Sequence, residues 1–587
     1  MLDHVIRGGS IVDGTGATPA TGDVGVRDGR IVSMGGRIDE PAREEVDADG
    51  CIVTPGWVDV HTHYDGQVTW DDALEPSATN GVTTVVMGNC GVGFAPVRPT
   101  DTEAIIDLME GVEDIPGTAL HAGMPWGEWE TFGEYLDLLD GRSYALDVGA
   151  QLAHGALRFY VMGERGAANE DATAEDLAQM QALVTGALEA GALGITTSRT
   201  IGHRSSSGRP VPGTFAAPDE LLALAEGMRA AGTGVFEAIV AGTIGRLEGL
   251  GGERSTPIEE VPLLTAVSRT SGRPVTFTVA QLFEDPDHWR RVLDATAEAN
   301  ADGADLHPQV IPRSVTIMTN LDTYHLFRGR PTYEKVADLP LAERVVEMRR
   351  SEVREAILAE RPETGAPDLS DNLTALFAVA LPLTFPLTEP LDYEPTLDQS
   401  LAAQAGARGV SPEELMYDWL LADEGKAFYA VLGSNFVSGS LEVCREMLAD
   451  PHTVTGLSDA GAHVNLISDC SASTFHLTHW ARDRTRGERL PLEHLVAKLS
   501  GGNARLYGLG DRGVLAPGKR ADVNVIDMDR LEISAPYLRH DLPTGASRIL
   551  QPARGYEATM VAGTLTRRKD ADTGARPGRL VRGARTA

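Results

Sequence analysis

Eight short apolar or β-branched segments recur along the middle of the chain, mostly alternating with helix-like stretches, and this rhythm constrains the fold more than any other feature. They lie at Trp57–His61, Thr83–Met87, Asp147–Ala153, Leu193–Thr197, Gly234–Ala238, Pro274–Val279, Asp305–Val310 and Val454–Ser458. Repeated βα units build a parallel sheet, and eight of them complete a (β/α)8 TIM barrel of α/β class. Chemistry in such barrels sits at the C-terminal ends of the strands, so the residues just after each segment are the ones to search. The spacing breaks once, between Val310 and Val454, which implies a long helical insertion at about 314–450. Within it, Leu341–Ala359 sets Val345, Val346, Met348, Val353 and Ile357 among Arg and Glu, the pattern of an amphipathic helix. The insertion either roofs the active site or makes a subunit contact, so a homo-oligomer is an open expectation.

The two ends have a different texture. His4–Gly9, Ser10–Gly14, Gly25–Arg30 and Ile31–Gly35 read as short strands broken by turns, and Gly513–Lys519, Ala521–Asp527 and Tyr556–Gly563 share that pattern. Residues 1–55 and 511–587 are therefore expected to form one small β-sandwich-like domain, with the barrel spanning 56–510. The basic stretch from Arg567 to Arg585 reads as a loosely ordered end without a role.

A chain of 587 residues is too long for one ordinary core but suits an enlarged barrel with an accessory domain. Acidic residues outnumber basic ones 85 to 51, and a formal charge of −34 repels phosphate backbones and anionic lipid, so a small molecule is the expected partner, not nucleic acid or membrane. Four widely spaced cysteines, Cys51, Cys90, Cys444 and Cys470, are too few to staple such a chain. No disulfide is predicted, and a reducing cytoplasm is the expected compartment. The N-terminus lacks a basic region followed by an apolar run, and no uncharged apolar stretch reaches the roughly 20 residues needed to cross a bilayer.

The sharpest local signal is Pro55-Gly-Trp-Val-Asp-Val-His61-Thr62-His63, two histidines two apart where a buried strand runs out. Alternate strand residues face the same side, so both imidazoles can point into the barrel mouth and share a metal. The second signal is Thr455-Gly-Leu-Ser-Asp459-Ala-Gly-Ala-His463 at the eighth segment. An aspartate closing a strand beside a metal can ligate it and also take a proton from the attacking water.

These two blocks, with the terminal strands, resemble the amidohydrolase superfamily. Thr83-Thr-Val-Val-Met-Gly-Asn-Cys90-Gly-Val-Gly goes further and is similar to the N-acyl-D-amino-acid deacylase (D-aminoacylase) branch, as are Gly191–Ser198 and Pro517–Asp527. The resemblance implies that Cys90, after the second strand, is a zinc ligand. Many two-metal relatives instead bridge their ions with a carboxylated lysine on the fourth strand, but the first lysine here is Lys335, beyond the seventh segment. A thiolate is a good zinc ligand, and Gly91 and Gly93 let the backbone come close.

The branch pattern is broken in two places. Zinc-binding histidines after the fifth and sixth strands are replaced by Glu237 and Gln281, of which Glu237 is the better oxygen ligand. The branch's arginine for the substrate carboxylate, in a His-Pro-Arg element after the eighth strand, is also missing. Arg158, Arg199, Arg204 and Arg313 are candidate substitutes, and His154, His203 and His307 are candidate substrate-orienting groups. His476 and His479, three apart in a helix-like run, read as packing groups. The set implies one or two divalent ions, most readily Zn2+, on His61, His63, Cys90, Asp459 and Glu237, with Asp459 as proton shuttle. The expected reaction is hydrolysis of a C–N amide bond of an N-acylated amino acid or related small molecule. Hydrolysis of a cyclic amide, a lactone or another acylated compound at the same centre is the alternative, and a barrel that only binds a small molecule is a third.

Overall fold

The computed structural model describes residues 1–361 and 380–583. The chain opens with β1 (Leu2–Ile11), β2 (Ala20–Arg27), β3 (Arg30–Met34), β4 (Ala42–Asp47) and β5 (Ile52–Pro55). The segments read as two strands at His4 and Ser10 are one strand, β1, whose pairing with β2 shifts register between Ile6 and Gly9. The bulge absorbs the two glycines without ending the strand.

The middle of the chain is α/β. β6 (Trp57–Thr62), β7 (Val82–Met87) and β8 (Asp147–Ala150) pair in parallel. β9 (Leu152–Ala153) continues the run of β8 after Gln151 and opens a second parallel ladder through β10 (Gly194–Ser198), β11 (Val235–Ile239), β12 (Val275–Thr278) and β13 (Leu306–Val310) to Val454–Thr455. A parallel bridge from Ala460 to Thr62 returns to the first strand. Every one of the eight expected segments carries a strand, the third broken at Gln151. β7, β8, β10, β11 and β12 are buried at every position, which is why they read as near-continuous apolar and Thr runs.

Local chemistry ends the helices where the strands must begin. Ala174–Ala190 starts at a Thr173/Asp176 capping box and stops at Gly191, whose φ of 115° only glycine adopts readily. Pro257–Ser271 starts at a Thr256/Glu259 box and stops at Gly272.

The insertion after β13 holds β14 (Thr316–Thr319), β15 (Thr384–Pro386) and β16 (Tyr429–Leu432), an antiparallel sheet in the order β14-β16-β15. It therefore contains strands as well as the expected helices. The amphipathic stretch is two helices, Leu341–Met348 and Ser351–Ala359, and Val345, Met348 and Ile357 enter a separate apolar cluster with Phe327, Tyr417 and Leu420. Val346 is exposed. Residues 362–379 of the expected insertion lie outside the described residues. The insertion packs onto the loop after the eighth strand, where Met318 N donates to Leu466 O at 2.7 Å, and onto the end of the helix Thr102–Glu113, where Tyr324 Oη donates to Asp114 at 3.1 Å.

The two ends of the chain share one sheet. The strand Val523–Ile526 lies between β5 and Tyr556–Val561 in a nine-stranded sheet that also takes in Thr564–Arg568 and Ala571–Asp572. Val24, Val26, Ile31, Val53, Val523, Val525 and Met560 form its apolar core.

The basic end is not loose. Val148 N donates to Arg579 O at 3.1 Å and Val581 N to Val148 O at 2.7 Å, so the tail runs beside β8. Gly583 N then donates to Gly191 O at 2.9 Å. Arg582 pairs with Asp137 and Arg576 with Asp72, so the tail's positive charge meets acidic groups of the helices and loops it crosses. Arg585 lies outside the described residues. Among the described residues no helix is long and apolar enough to cross a membrane. All four cysteines are free.

Candidate metal centre

His61 and His63 stand at the end of β6, and the loop after the eighth strand is zipped to them. Asp459 N donates to His61 O at 3.2 Å, His63 N to Ala460 O at 2.8 Å, and Ser458 Oγ to Asp59 Oδ2 at 2.5 Å. The zip forces left-handed backbone on Leu457 (φ 62°), Asp459 (φ 49°) and His463 (φ 49°), none of them glycine. Such conformations cost about 1–3 kcal/mol each and persist where surrounding structure over-determines them. Cys90 is a fourth case, at φ 57°. Its neighbour Gly91 (φ +70°) passes so close to β10 that a Cβ there would lie 2.6 Å from Ser198 N. The sequence Gly-Asn-Cys-Gly thus bends the chain after β7 back toward the two histidines.

Cys90 Sγ lies 3.4 Å from His61 Nε2 and 3.6 Å from His63 Nε2. The three ligand atoms fall within 4.8 Å of one another, and all three residues are buried. On the other side Asp459 Oδ1 stands 3.3 Å from His61 Nε2 and 3.8 Å from His63 Nε2, with 16% of its side chain exposed. His61 Nδ1 is 2.9 Å from Gln309 Oε1. Glu237 is fully buried in the middle of β11, 4.0 Å from His61 Nδ1, and neither of its oxygens has a hydrogen-bond partner among the described residues. Glu113, at the end of the helix Thr102–Glu113, is in the same condition 3.3 Å from His63 Nδ1.

The electrostatics of this cluster would suit a cation. Burial lowers the His61 imidazole to about 4, with Gln309 opposing, and puts His63 well below its ordinary value. Burial, then Asp469 and Asp59, raises Asp459 to about 8. Burial together with neighbouring carboxylates raises Cys90, Glu113 and Glu237. Neutral imidazoles offer lone pairs, and crowded buried acids are relieved by a cation among them. Two imidazole nitrogens, a thiol sulfur and a carboxylate oxygen are the donors zinc takes. Nitrogen-to-sulfur edges of this size match tetrahedral arms of about 2.0–2.3 Å.

Of the other sequence candidates, His203 lies just beyond β10, where Ser198 Oγ meets its Nδ1 at 2.9 Å, and burial, with His463 and His61 contributing, lowers it to about 3. The structure does not bring the rest together. His154 Nε2 and Arg158 Nε share Glu220 Oε1, at 2.9 and 2.8 Å, while His154 Nδ1 meets Thr197 Oγ1 at 2.9 Å. Both residues are buried and saturated by protein partners. His307 lies two residues before Gln309, toward the start of β13, and its Nε2 pairs with Asp305 at 2.7 Å. Arg313 is fully buried against Asp469 at 2.9 Å and over the Tyr393 ring at 4.2 Å. Arg199 is bound to Glu260, and Arg204 donates to the carbonyls of Ile201, Gly208 and Leu250. Gln281 bonds Pro286 O and Val437 N. His479 pairs with Glu394 at 3.2 Å, and His476 is buried with neither ring nitrogen bonded.

Sequence reasoning missed Glu113, Gln309 and His463 as members of this cluster. Gln309 and His463 sat in segments already singled out, at the end of the seventh strand and four residues after Asp459. Glu113 carries no signal, because the helix that brings it in has no fixed spacing from any strand.

The sequence model of the amidohydrolase family matches residues 44–567. N-acyl-D-glutamate deacylase of Alcaligenes xylosoxydans xylosoxydans is 28% identical over 583 residues, 99% of this chain and 96% of that one. An uncharacterized protein of Mycobacterium tuberculosis is 28% identical over 601 residues, 95% of this chain and 90% of that one. Among solved structures, N-acyl-D-glutamate deacylase from Bordetella bronchiseptica, complexed with zinc and a phosphonate inhibitor, superposes with a TM-score of 0.62 at 24% identity, covering 99% of this chain and 100% of that one. A D-aminoacylase crystal structure superposes with a TM-score of 0.63 at 22% identity, over 99% and 100%. These likenesses show a shared fold. With a family match running from β4 to the strand Thr564–Arg568, the chain belongs to the amidohydrolase family.

Proposed function

We propose that this chain is a metal-dependent hydrolase that cleaves the C–N amide bond of an N-acylated amino acid or a related small molecule. The observation that carries the reading is the convergence of His61, His63 and Cys90 onto one buried point, with Asp459 from a third strand end against both histidines. We read the cyclic order of the parallel strands as a (β/α)8 barrel over 56–510. The shared terminal sheet is then a small β domain made from 1–55 and 511–587. N-acyl-D-glutamate deacylases, similar over nearly the whole chain, support the substrate class.

His61, His63, Cys90 and Asp459 would hold one divalent ion, with Glu237 as a further oxygen donor, and zinc suits the donors best. When bound, the ion supplies Lewis-acid polarisation of the scissile carbonyl and acidifies the attacking water. Asp459, the partly exposed carboxylate of the set, takes the proton of that water and delivers it to the leaving nitrogen. His203, held by Ser198 at the end of β10, is the histidine that would orient the acyl oxygen.

One observation favours a second reading, hydrolysis of a cyclic amide or lactone. The guanidiniums of Arg158, Arg199 and Arg204 are bound to protein acceptors, and Arg313 is paired with Asp469 through Nε and Nη2, leaving only its buried Nη1 without a partner among the described residues, so none of the four offers a whole guanidinium fork to a substrate carboxylate. The test is a substrate panel on zinc-loaded protein: N-acyl-D- and N-acyl-L-amino acids, five- and six-membered cyclic amides, and lactones. Chelator-sensitive release of free amine from the N-acyl compounds supports the first reading, and ring opening alone supports the second. No turnover of any member contradicts both.

A further inference from the structure

Each imidazole of the candidate centre has two nitrogens, and only one can face a metal. For His61 the other nitrogen, Nδ1, sits on Gln309 Oε1 at 2.9 Å. An amide oxygen only accepts, so Nδ1 carries the proton and Nε2 carries the lone pair toward Cys90 and Asp459. His63 is placed with a similar pair of faces, although its Nδ1, unlike that of His61, has no hydrogen-bond partner among the described residues. Its Nε2 looks at Cys90 Sγ and Asp459 Oδ1, and its Nδ1 looks at Glu113 Oε1 from 3.3 Å.

Glu113 is built for this contact. Its side chain is 1% exposed, and neither oxygen has a hydrogen-bond partner among the described residues, a costly state for a carboxyl group unless neighbouring donors turn to it. The donors within ion-pair reach are His63 Nδ1 and, on the second oxygen, His463 Nε2 at 3.8 Å. The backbone reinforces the arrangement, since His463 N donates to Glu113 O. One residue at the end of the helix Thr102–Glu113 therefore meets the strand-one histidine and the strand-eight loop together.

We propose that Glu113 is a positioning residue of the metal centre: it accepts the Nδ1 proton of His63, fixing the tautomer and ring angle that turn Nε2 toward Cys90 and Asp459, and it anchors His463 with its other oxygen. This rests on the metal-hydrolase reading above. Carboxylate partners of ligand histidines typically contribute 10–100-fold to metal affinity.

The test compares zinc affinity, by chelator competition, in wild type, Glu113→Asp and Glu113→Gln, each checked for an unchanged thermal midpoint. Glu113→Asp keeps the charge but draws the oxygens back by one methylene, so it is expected to weaken zinc binding about tenfold or more. Glu113→Gln loses the charge but leaves an acceptor oxygen in place, and is expected to bind zinc more tightly than Glu113→Asp. Affinity unchanged in the Asp variant, or lower in Gln than in Asp, overturns the proposal, because the carboxylate would then act through charge alone or not at all. If wild type itself takes up no zinc, the metal-centre reading falls and this inference falls with it. Wild-type binding with indifferent variants removes only the role of Glu113.

Discussion

Asp459→Asn is expected to lower kcat by about 10²–10⁴-fold while leaving the protein folded, because an amide of the same shape cannot take the proton of the attacking water. The size follows from the position of Asp459. It is the acidic group of the cluster with measurable side-chain exposure, 3.3 Å from His61 Nε2, and the Ser458–Asp59 and His61 O contacts hold its loop in a left-handed turn. Asparagine tolerates that backbone at least as well as aspartate, so the substitution tests chemistry and not folding. Steady-state kinetics on whichever substrate the panel identifies gives the readout. A variant that keeps kcat within a few fold of wild type would move the proton transfer to another group.

The second large effect is on stability. Glu220, on the helix Pro218–Ala231, accepts from His154 Nε2 at 2.9 Å and Arg158 Nε at 2.8 Å, all three buried, and so clamps the helix after β9 to the helix after β10. Burial raises its pKa, but His154 and Arg158 outweigh that and bring it down to about 2. A carboxylate depressed in the folded state adds stability that is fully present above its unfolded value, near 4.5, and is lost as pH falls through about 2. Glu220→Gln removes the charge that two buried cationic or donor groups are built around, at a cost of about 3–5 kcal/mol. Urea titrations at pH 7 measure that loss. Repeated between pH 5 and 3, they are expected to show wild type losing stability toward the variant, because the unfolded chain's carboxylate protonates there while the folded one stays ionised. Equal stability of the two proteins at pH 7 would mean that the cluster is not the clamp its geometry suggests.

The strands were legible in the sequence for a physical reason. Segments buried on both faces, such as Val82–Met87 and Val235–Ile239, have no polar alternation to blur them, and the glycines at 191 and 272 mark where helices must stop. His61, His63, Cys90 and Asp459 were legible because each lies at, or within four residues after, the C-terminal end of a strand. What escaped depends on side chains far apart in sequence. Arg158 and Arg313 sit after strands, as a substrate-binding arginine would, and only their meeting with Glu220 and Asp469 shows that their charge is already committed. Glu113 arrives on a connecting helix whose length no strand dictates. The basic tail looked unstructured because its partner is the backbone of β8, and backbone acceptors leave no mark in composition.

The measurement that bears most directly on the account is metal per chain in carefully prepared protein, wild type beside Cys90→Ala and a His61→Ala/His63→Ala double variant. About one equivalent of zinc is expected in wild type, less in Cys90→Ala, and close to none in the double variant. Wild type that takes up no divalent metal even after supplementation, or a double variant that binds as much as wild type, would contradict it.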